Sequence, residues 1–191
     1  MYGAVLAGGR SRRFGSDKAV ADWDGRTFVR TVCELLGCVG CDPVVAIGRE
    51  STPGRSTWPR WLPDAATDEH RHPLYGVAAA SQVAAAAGSG LLVAAVDQPF
   101  LKVDWLHSLV AAGRADDAAA AFVSSDGDRF EPLPLFVPRS KVDDFAAIVD
   151  GVHTREERSL QSIYRSAGVR RIARPPDWGA LGSLNRPTDH P

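Results

Sequence analysis

Tyr2-Gly3-Ala4-Val5-Leu6-Ala7-Gly8-Gly9-Arg10-Ser11-Arg12-Arg13-Phe14-Gly15-Ser16-Asp17-Lys18 begins as an apolar run and ends in a double glycine followed by cations. A short apolar run stopped by glycine predicts a buried strand feeding a loop, here one that continues to about Lys18. The loop carries three glycines, three arginines and a lysine. Glycines let a backbone approach an anion closely and expose its N–H groups, and cations neutralise a polyphosphate. Taken alone, the same segment also reads as a solvated basic turn. It has no G-x-G-x-x-G, and the spacing from Gly15 to Lys18 excludes the G-K-[ST] of a P-loop.

Outward from this loop the chain alternates between two periodicities. Phe28, Val29, Val32, Leu35 and Leu36 recur at helical spacing and predict a helix over 27–36, stopped by Gly37 and Gly40. Residues 43–47 read as a strand, and 51–63 as a connection with a short strand at 60–62. An Ala-rich helix is predicted over 76–87, then a fully buried strand over 91–96, bounded by Gly90 and Asp97-Gln98-Pro99. Helices are expected at 103–112, 141–149 and 159–167, and strands at 119–123 and 133–137, with a turn-rich stretch over 124–129. Strands alternating with helices describe an α/β fold, a three-layer α/β/α sandwich with a mostly parallel, Rossmann-like sheet. In such sheets ligands lie beyond the carboxyl ends of the strands, so Gly8-Gly9 and Asp97 would open onto one crevice.

The bulk properties bound the function. A chain of 191 residues is read as one domain, 1–191, since domains most often run to about 100–150 residues. The 45% hydrophobic and 24% charged content excludes a mainly disordered chain. A formal net charge of −1 and basic clusters no longer than Arg10-Ser11-Arg12-Arg13 argue against nucleic acid as a partner. No apolar run approaches the roughly 20 residues that span a bilayer, and the first residues lack a charged leader, so the expectation is a cytoplasmic protein with no membrane role. Cys33, Cys38 and Cys41 are an odd number in one segment, against a disulfide framework. Cys38-Val39-Gly40-Cys41 has C-x-x-C spacing but lacks a zinc complement, and small buried hydrophobes are the expected role. His70, His72, His107, His153 and His190 are scattered, with no evident nucleophile partner.

Leu6-Ala7-Gly8-Gly9-x-Ser11-x-Arg13-x-Gly15-x-Asp17-Lys18 resembles the signature of the molybdenum cofactor guanylyltransferases, the MobA type of the nucleotidyltransferase superfamily. Pro73-Leu74-Tyr75-Gly76 resembles that family's P-L-A-G turn, Asp97-Gln98-Pro99-Phe100 its D-x-P-[FY], and Leu184-Asn185-Arg186-Pro187-Thr188-Asp189 its C-terminal N-T-P-E-D stretch. Glu131 to Leu135 and Arg158-Ser159-Leu160 are similar to smaller motifs, so the resemblance runs over nearly the whole chain. Tyr75, Ser183 and Arg186 depart from the pattern, on the acceptor side more than in the glycine loop.

The resemblance implies a magnesium-dependent transferase on the nucleotide-diphospho-sugar transferase fold. It would pass GMP from GTP to the terminal phosphate of molybdopterin and release pyrophosphate. Arg13, Lys18 and Asp97 would be catalytic, with Asp97 holding Mg²⁺. Leu6, Ala7, Gly8, Gly9, Lys18, Asp64, Pro73, Leu74 and Asp97 would line the nucleotide, and Asn185 would complete the metal site or meet the acceptor. Within the resemblance L-A-G-G goes with guanine and L-A-A-G with cytosine, so Gly8 favours GTP. Proteins that deliver or receive the cofactor are the expected protein partners.

Each residue has a plainer reading too. Asp97 could be a helix N-cap, and Asp64 and Asn185 turn residues ahead of or beside proline. Trp58, Trp61 and Trp178 could form a docking surface or lie buried under loops. Rival functions are a relative that uses CTP or a sugar-phosphate acceptor, and a non-catalytic nucleotide-binding subunit.

Overall fold

The computed structural model describes residues 1–8, 18–48, 58–64, 72–153 and 159–180. In chain order the elements are β1 (Tyr2–Leu6), β2 (Asp22–Trp23), β3 (Arg26–Thr27), α1 (Phe28–Cys38), β4 (Val44–Gly48), β5 (Arg60–Pro63) and α2 (Pro73–Ala86). They continue with β6 (Leu91–Ala95), α3 (Val103–Ala115), β7 (Ala120–Val123), β8 (Phe130–Val137), α4 (Val142–His153), α5 (Leu160–Ser166) and β9 (Arg170–Ala173).

One seven-stranded sheet runs in the order β5-β4-β1-β6-β8-β7-β9. β1 pairs in parallel with both β4 and β6, β4 with β5, and β7 with β9, whereas β8 is antiparallel to both of its neighbours. Strand alternation divides the core into two layers. Tyr2, Ala4, Leu91 and Val93 face α2, α4 and α5 through Leu74, Val77, Phe145 and Tyr164. Val5, Leu92 and Ala94 face α1 and α3 through Phe28, Val32, Leu106 and Leu109. Because both faces of the central strands are covered, they read as continuous apolar runs. The predicted three-layer α/β fold is the one observed.

The differences from the sequence reading are local and have causes. α2 starts at Pro73, a turn before the Ala-rich run, because His72 caps it: its Nδ1 accepts the Leu74 N–H at 3.2 Å. Pro73 then occupies the first helical turn, where a missing N–H costs nothing. Pro73-Leu74-Tyr75-Gly76 is therefore a helix start and not a turn. Thr27 caps α1 in the usual manner, accepting from Arg30 N–H.

The small hairpin β2–β3 is absent from the sequence reading, although Asp24-Gly25, both at positive φ (51° and 76°), is a strong hairpin signal. β8 begins at Phe130, earlier than its apolar run, and β9 is an edge strand with exposed Arg170 and Arg171 that carries almost no apolar pattern. No helix among the described residues is long and apolar enough to cross a membrane.

Candidate functional site

The carboxyl end of β1 is held from both sides. Ala7 N–H donates to Ile47 O at 2.7 Å on β4, and Val96 N–H donates to Leu6 O at 3.0 Å from the end of β6. From β1 the chain leaves toward β4, whereas from β6 it leaves through α3 toward β7. This reversal opens a crevice between the ends of β1 and β6, the place where doubly wound sheets take ligands. Gly8 follows one strand end and Asp97 the other, so the topology brings these two predicted residues to one rim.

Asp64 reaches the same rim from the far side. Its N–H donates to Gly48 O at 3.3 Å, which extends the β4–β5 pairing by one residue. Its side chain leans back to the glycine loop: a Cβ placed on Gly8 would collide with Asp64 Oδ2. Only glycine at position 8 leaves that carboxylate where it lies. The plain turn reading of Asp64 accounts for its backbone but not for this side-chain approach.

The fourth wall is the first turn of α2. The Leu6 side chain lies so close to Gly76 that an added Cβ would be 3.0 Å from Leu6 Cδ2, so the absence of a side chain lets α2 seat against the end of β1. The Leu74 side chain is fully buried and its N–H is taken by His72, while Tyr75 N–H donates to His72 O. Of the Pro73-Leu74 pair, Pro73 is exposed and Leu74 is not. Desolvation holds the His72 imidazole below its ordinary value, which suits a neutral ring accepting a hydrogen bond.

Asp97 is half-buried at the rim. It is not a helix cap: the N-cap of α3 is Lys102, five positions later, and that cap uses no side-chain hydrogen bond. Instead Asp97 belongs to a tight turn in which Gln98 N–H donates to Ala95 O at 3.2 Å and Leu101 N–H to Gln98 O at 3.3 Å. Gln98, the variable position of the Asp-x-Pro motif, carries no functional signal in the sequence. In the structure its carboxamide accepts from Ala95 N–H at 3.1 Å and donates to Leu133 O at 2.9 Å.

Lys18 begins a short 3₁₀ turn over Lys18–Val20. Gly9, Arg13 and Asn185 lie outside the described residues, as does the side chain of Lys18. Cys33 and Cys41 are buried, with both thiols pushed up to about 12, burial being the main cause, and Cys38 is exposed. Both buried thiols pack as apolar filling in the core layer with Val5, Val32 and Leu36. Trp178 packs on Trp105 and Phe122 with centroids 5.2 and 5.1 Å away, whereas Trp58 is exposed.

Comparison with known proteins agrees with this geometry. The family model of the MobA-like NTP transferase domain matches residues 3–180. A probable molybdenum cofactor guanylyltransferase of Opitutus terrae is 34% identical over 198 residues, covering 99% of this chain and 92% of the relative. A molybdenum cofactor guanylyltransferase of Cereibacter sphaeroides is 35% identical over 194 residues, covering 99% and 93%. Among solved structures, molybdopterin-guanine dinucleotide biosynthesis protein A from Archaeoglobus fulgidus superposes with a TM-score of 0.71 at 22% identity, covering 99% of this chain and 94% of that one. The fold is shared more widely: 2-C-methyl-D-erythritol 4-phosphate cytidylyltransferase from Thermus thermophilus gives a TM-score of 0.66 at 16% identity, covering 99% and 95%. A match of this length, with curated relatives about a third identical from end to end, means that the chain belongs to the MobA-like NTP transferase family.

Proposed function

We propose that this protein transfers GMP from GTP to the terminal phosphate of molybdopterin, releasing pyrophosphate and forming the guanine dinucleotide. The observation that carries the reading is the approach of the Asp64 carboxylate to Gly8 at the end of β1, with Asp97 following the end of neighbouring β6, in a chain with guanylyltransferase relatives.

The acceptor is a phosphate monoester, already anionic at neutral pH, so no general base is required. Its oxygen attacks the α-phosphorus, the bond from that phosphorus to the bridging oxygen breaks, and the electron pair leaves with pyrophosphate. Catalysis then consists of alignment and charge neutralisation. Gly8 and Gly9 would offer backbone N–H groups, Lys18 and Arg13 positive charge toward the departing phosphates, and Asp64 with Pro73 a wall for the nucleoside.

Among the described residues no group of three or more His, Cys, Asp or Glu could hold a metal ion. Magnesium requires no such cluster, because it keeps several waters and binds through one or two carboxylates plus substrate phosphates. Asp97 would hold it, with Asn185 as a second oxygen donor, and when bound the ion would neutralise phosphate charge and fix the triphosphate geometry. A Mycobacterium tuberculosis protein of this fold, with a TM-score of 0.55 at 17% identity, was solved in complex with manganese.

Base choice is the finer part of the reading. Within the resemblance the double glycine goes with guanine, and Gly8 is the position at which an added Cβ would displace the Asp64 carboxylate beside it. A cytidylyltransferase on the same fold keeps CTP as the second reading. The test is pyrophosphate release from each of the four nucleoside triphosphates, with molybdopterin as acceptor and magnesium present. Release with GTP alone is expected; a preference for CTP would overturn the base assignment, and no release with any nucleotide would overturn the enzymatic reading.

A further inference from the structure

β6 and β8 pair through Leu91↔Val137, Leu92↔Phe136 and Val93↔Leu135, and there the ladder stops. Continued by two residues, the same antiparallel register would set Ala95 opposite Leu133. On β6 the N–H of Val96 points to β1, where it meets Leu6 O, so the N–H of Ala95 points to the β8 side. Ala95 N–H and Leu133 C=O are thus the next natural ladder partners. They do not meet: Ala95 N–H donates to Gln98 Oε1 at 3.1 Å, and Gln98 Nε2 donates to Leu133 O at 2.9 Å. A carboxamide supplies one acceptor and one donor in fixed relation, so it can stand in series between two backbone groups and satisfy both.

We infer that Gln98 is a positioning residue for Asp97: its carboxamide, inserted where β6 and β8 would otherwise close on each other, holds the sheet open and fixes the turn that presents the Asp97 carboxylate. The inference rests on the role given to Asp97 above. Gln98 is tied three ways, by its own N–H to Ala95 O, by its C=O to Leu101 N–H, and by its side chain to both strands. Val96, on the other side of Asp97, is tied to Leu6. Asp97 is therefore a residue between two pinned neighbours. Without the carboxamide, Ala95 and Leu133 either pair directly, which draws the turn toward β8, or lose their partners. Both outcomes shift the carboxylate relative to Gly8.

The experiment compares wild type with Gln98→Met, which keeps length but no hydrogen bonds, and Gln98→Glu, which keeps the acceptor for Ala95 N–H but loses the donor to Leu133. With GTP, molybdopterin and magnesium, kcat should fall by about tenfold to a hundredfold in both variants, on the scale of a misplaced catalytic group, while KM for GTP stays within about twofold. Two readouts do not need turnover. Manganese binding in the presence of GTP should weaken several-fold, and amide exchange over residues 95–98 should change in Gln98→Met, faster at Ala95 if its N–H loses its partner and faster at Gln98 if the turn is drawn toward β8. Unchanged kcat and manganese affinity with a lowered Tm would make Gln98 a structural brace only and overturn the inference. If Gln98→Met does not fold, the same readings on Gln98→Glu decide. If wild type itself shows no GMP transfer, the functional reading fails, and manganese binding with exchange over residues 95–98 still decides the role of Gln98.

Discussion

The parallel half of the sheet, β5-β4-β1-β6, and the half built on β8 hold their backbones by different means. In the parallel half, strand pairs with strand up to the rim: Asp64 N–H with Gly48 O, Ala7 N–H with Ile47 O, Val96 N–H with Leu6 O. In the first part of β8, Pro132 and Pro134 remove donors, and side chains take over. Gln161 accepts from Phe130 N–H at 3.0 Å and donates to Phe130 O at 2.7 Å, Tyr164 Oη donates to Pro132 O, and Gln98 reaches Leu133 O. A ladder carried to its end gives a fixed edge at Leu6, Gly48 and Asp64. A strand held by side chains can diverge from its neighbour, and the opening beside Asp97 is where it does so.

The largest effect is expected at the seam between the two halves. Asp97→Ala removes a half-buried rim carboxylate that caps no helix, so turnover should fall by about a thousandfold or more while Tm stays within about 2 °C. Steady-state kinetics and a thermal melt check both; wild-type-like turnover would remove Asp97 from the chemistry. Next in size is Gly8→Ala, on the ladder side. The new methyl collides with Asp64, so KM for GTP should rise about tenfold, and a double-mutant cycle with Asp64→Ala should give a coupling of about 1 kcal/mol or more. Strict additivity would separate the two residues.

The same division decides what could be read in the sequence. The parallel half was legible because strands buried on both faces leave unbroken apolar runs, as in residues 91–95, and because glycine marks where a chain must come close. The order of motifs placed Gly8 and Asp97 on strand ends, and the sheet order then made those ends neighbours. The β8 half was less legible, since its bonds run from side chains to distant carbonyls: Gln161 to Phe130 spans 31 positions and Gln98 to Leu133 spans 35. No periodicity announces a glutamine that will bond a backbone group so far away. β9 escaped for a related reason, as an edge strand whose arginines shield it from other strands also erase its apolar alternation. His72 escaped because imidazole is an unusual cap, although the proline after it is an ordinary first-turn residue.

Tyr164→Phe tests the side-chain-held half with a smaller effect. The fully buried phenol, whose pKa burial raises, stays a donor to Pro132 O at any working pH. Its loss takes the protein partner from a part-buried carbonyl, so stability should drop by about 0.5–1.5 kcal/mol in a denaturant melt. KM for GTP should not change, because the proposed nucleotide wall, Asp64 with Pro73, belongs to the ladder half. A rise in KM as large as that of Gly8→Ala would mean that the two halves are not mechanically separate.

The smallest effect is expected at the start of α2, where the ladder half borrows a side-chain bond of its own. His72 Nδ1 can accept the Leu74 N–H only while the ring is neutral, and desolvation lowers its pKa from the ordinary 6.5. With the folded value below the unfolded one, the unfolded chain takes up its proton first as pH falls. The stability contributed by the cap is thus present in full above pH 6.5 and is lost as pH drops through that value and then through the lower folded one. His72→Asn keeps a good cap that does not titrate. Plotted against pH, Tm of the two proteins should run parallel above neutrality and separate modestly on the acid side, with wild type falling faster. Curves that stay parallel down to pH 5, about one unit or more below the usual imidazole range, would show that the ring is held at this helix start by packing alone.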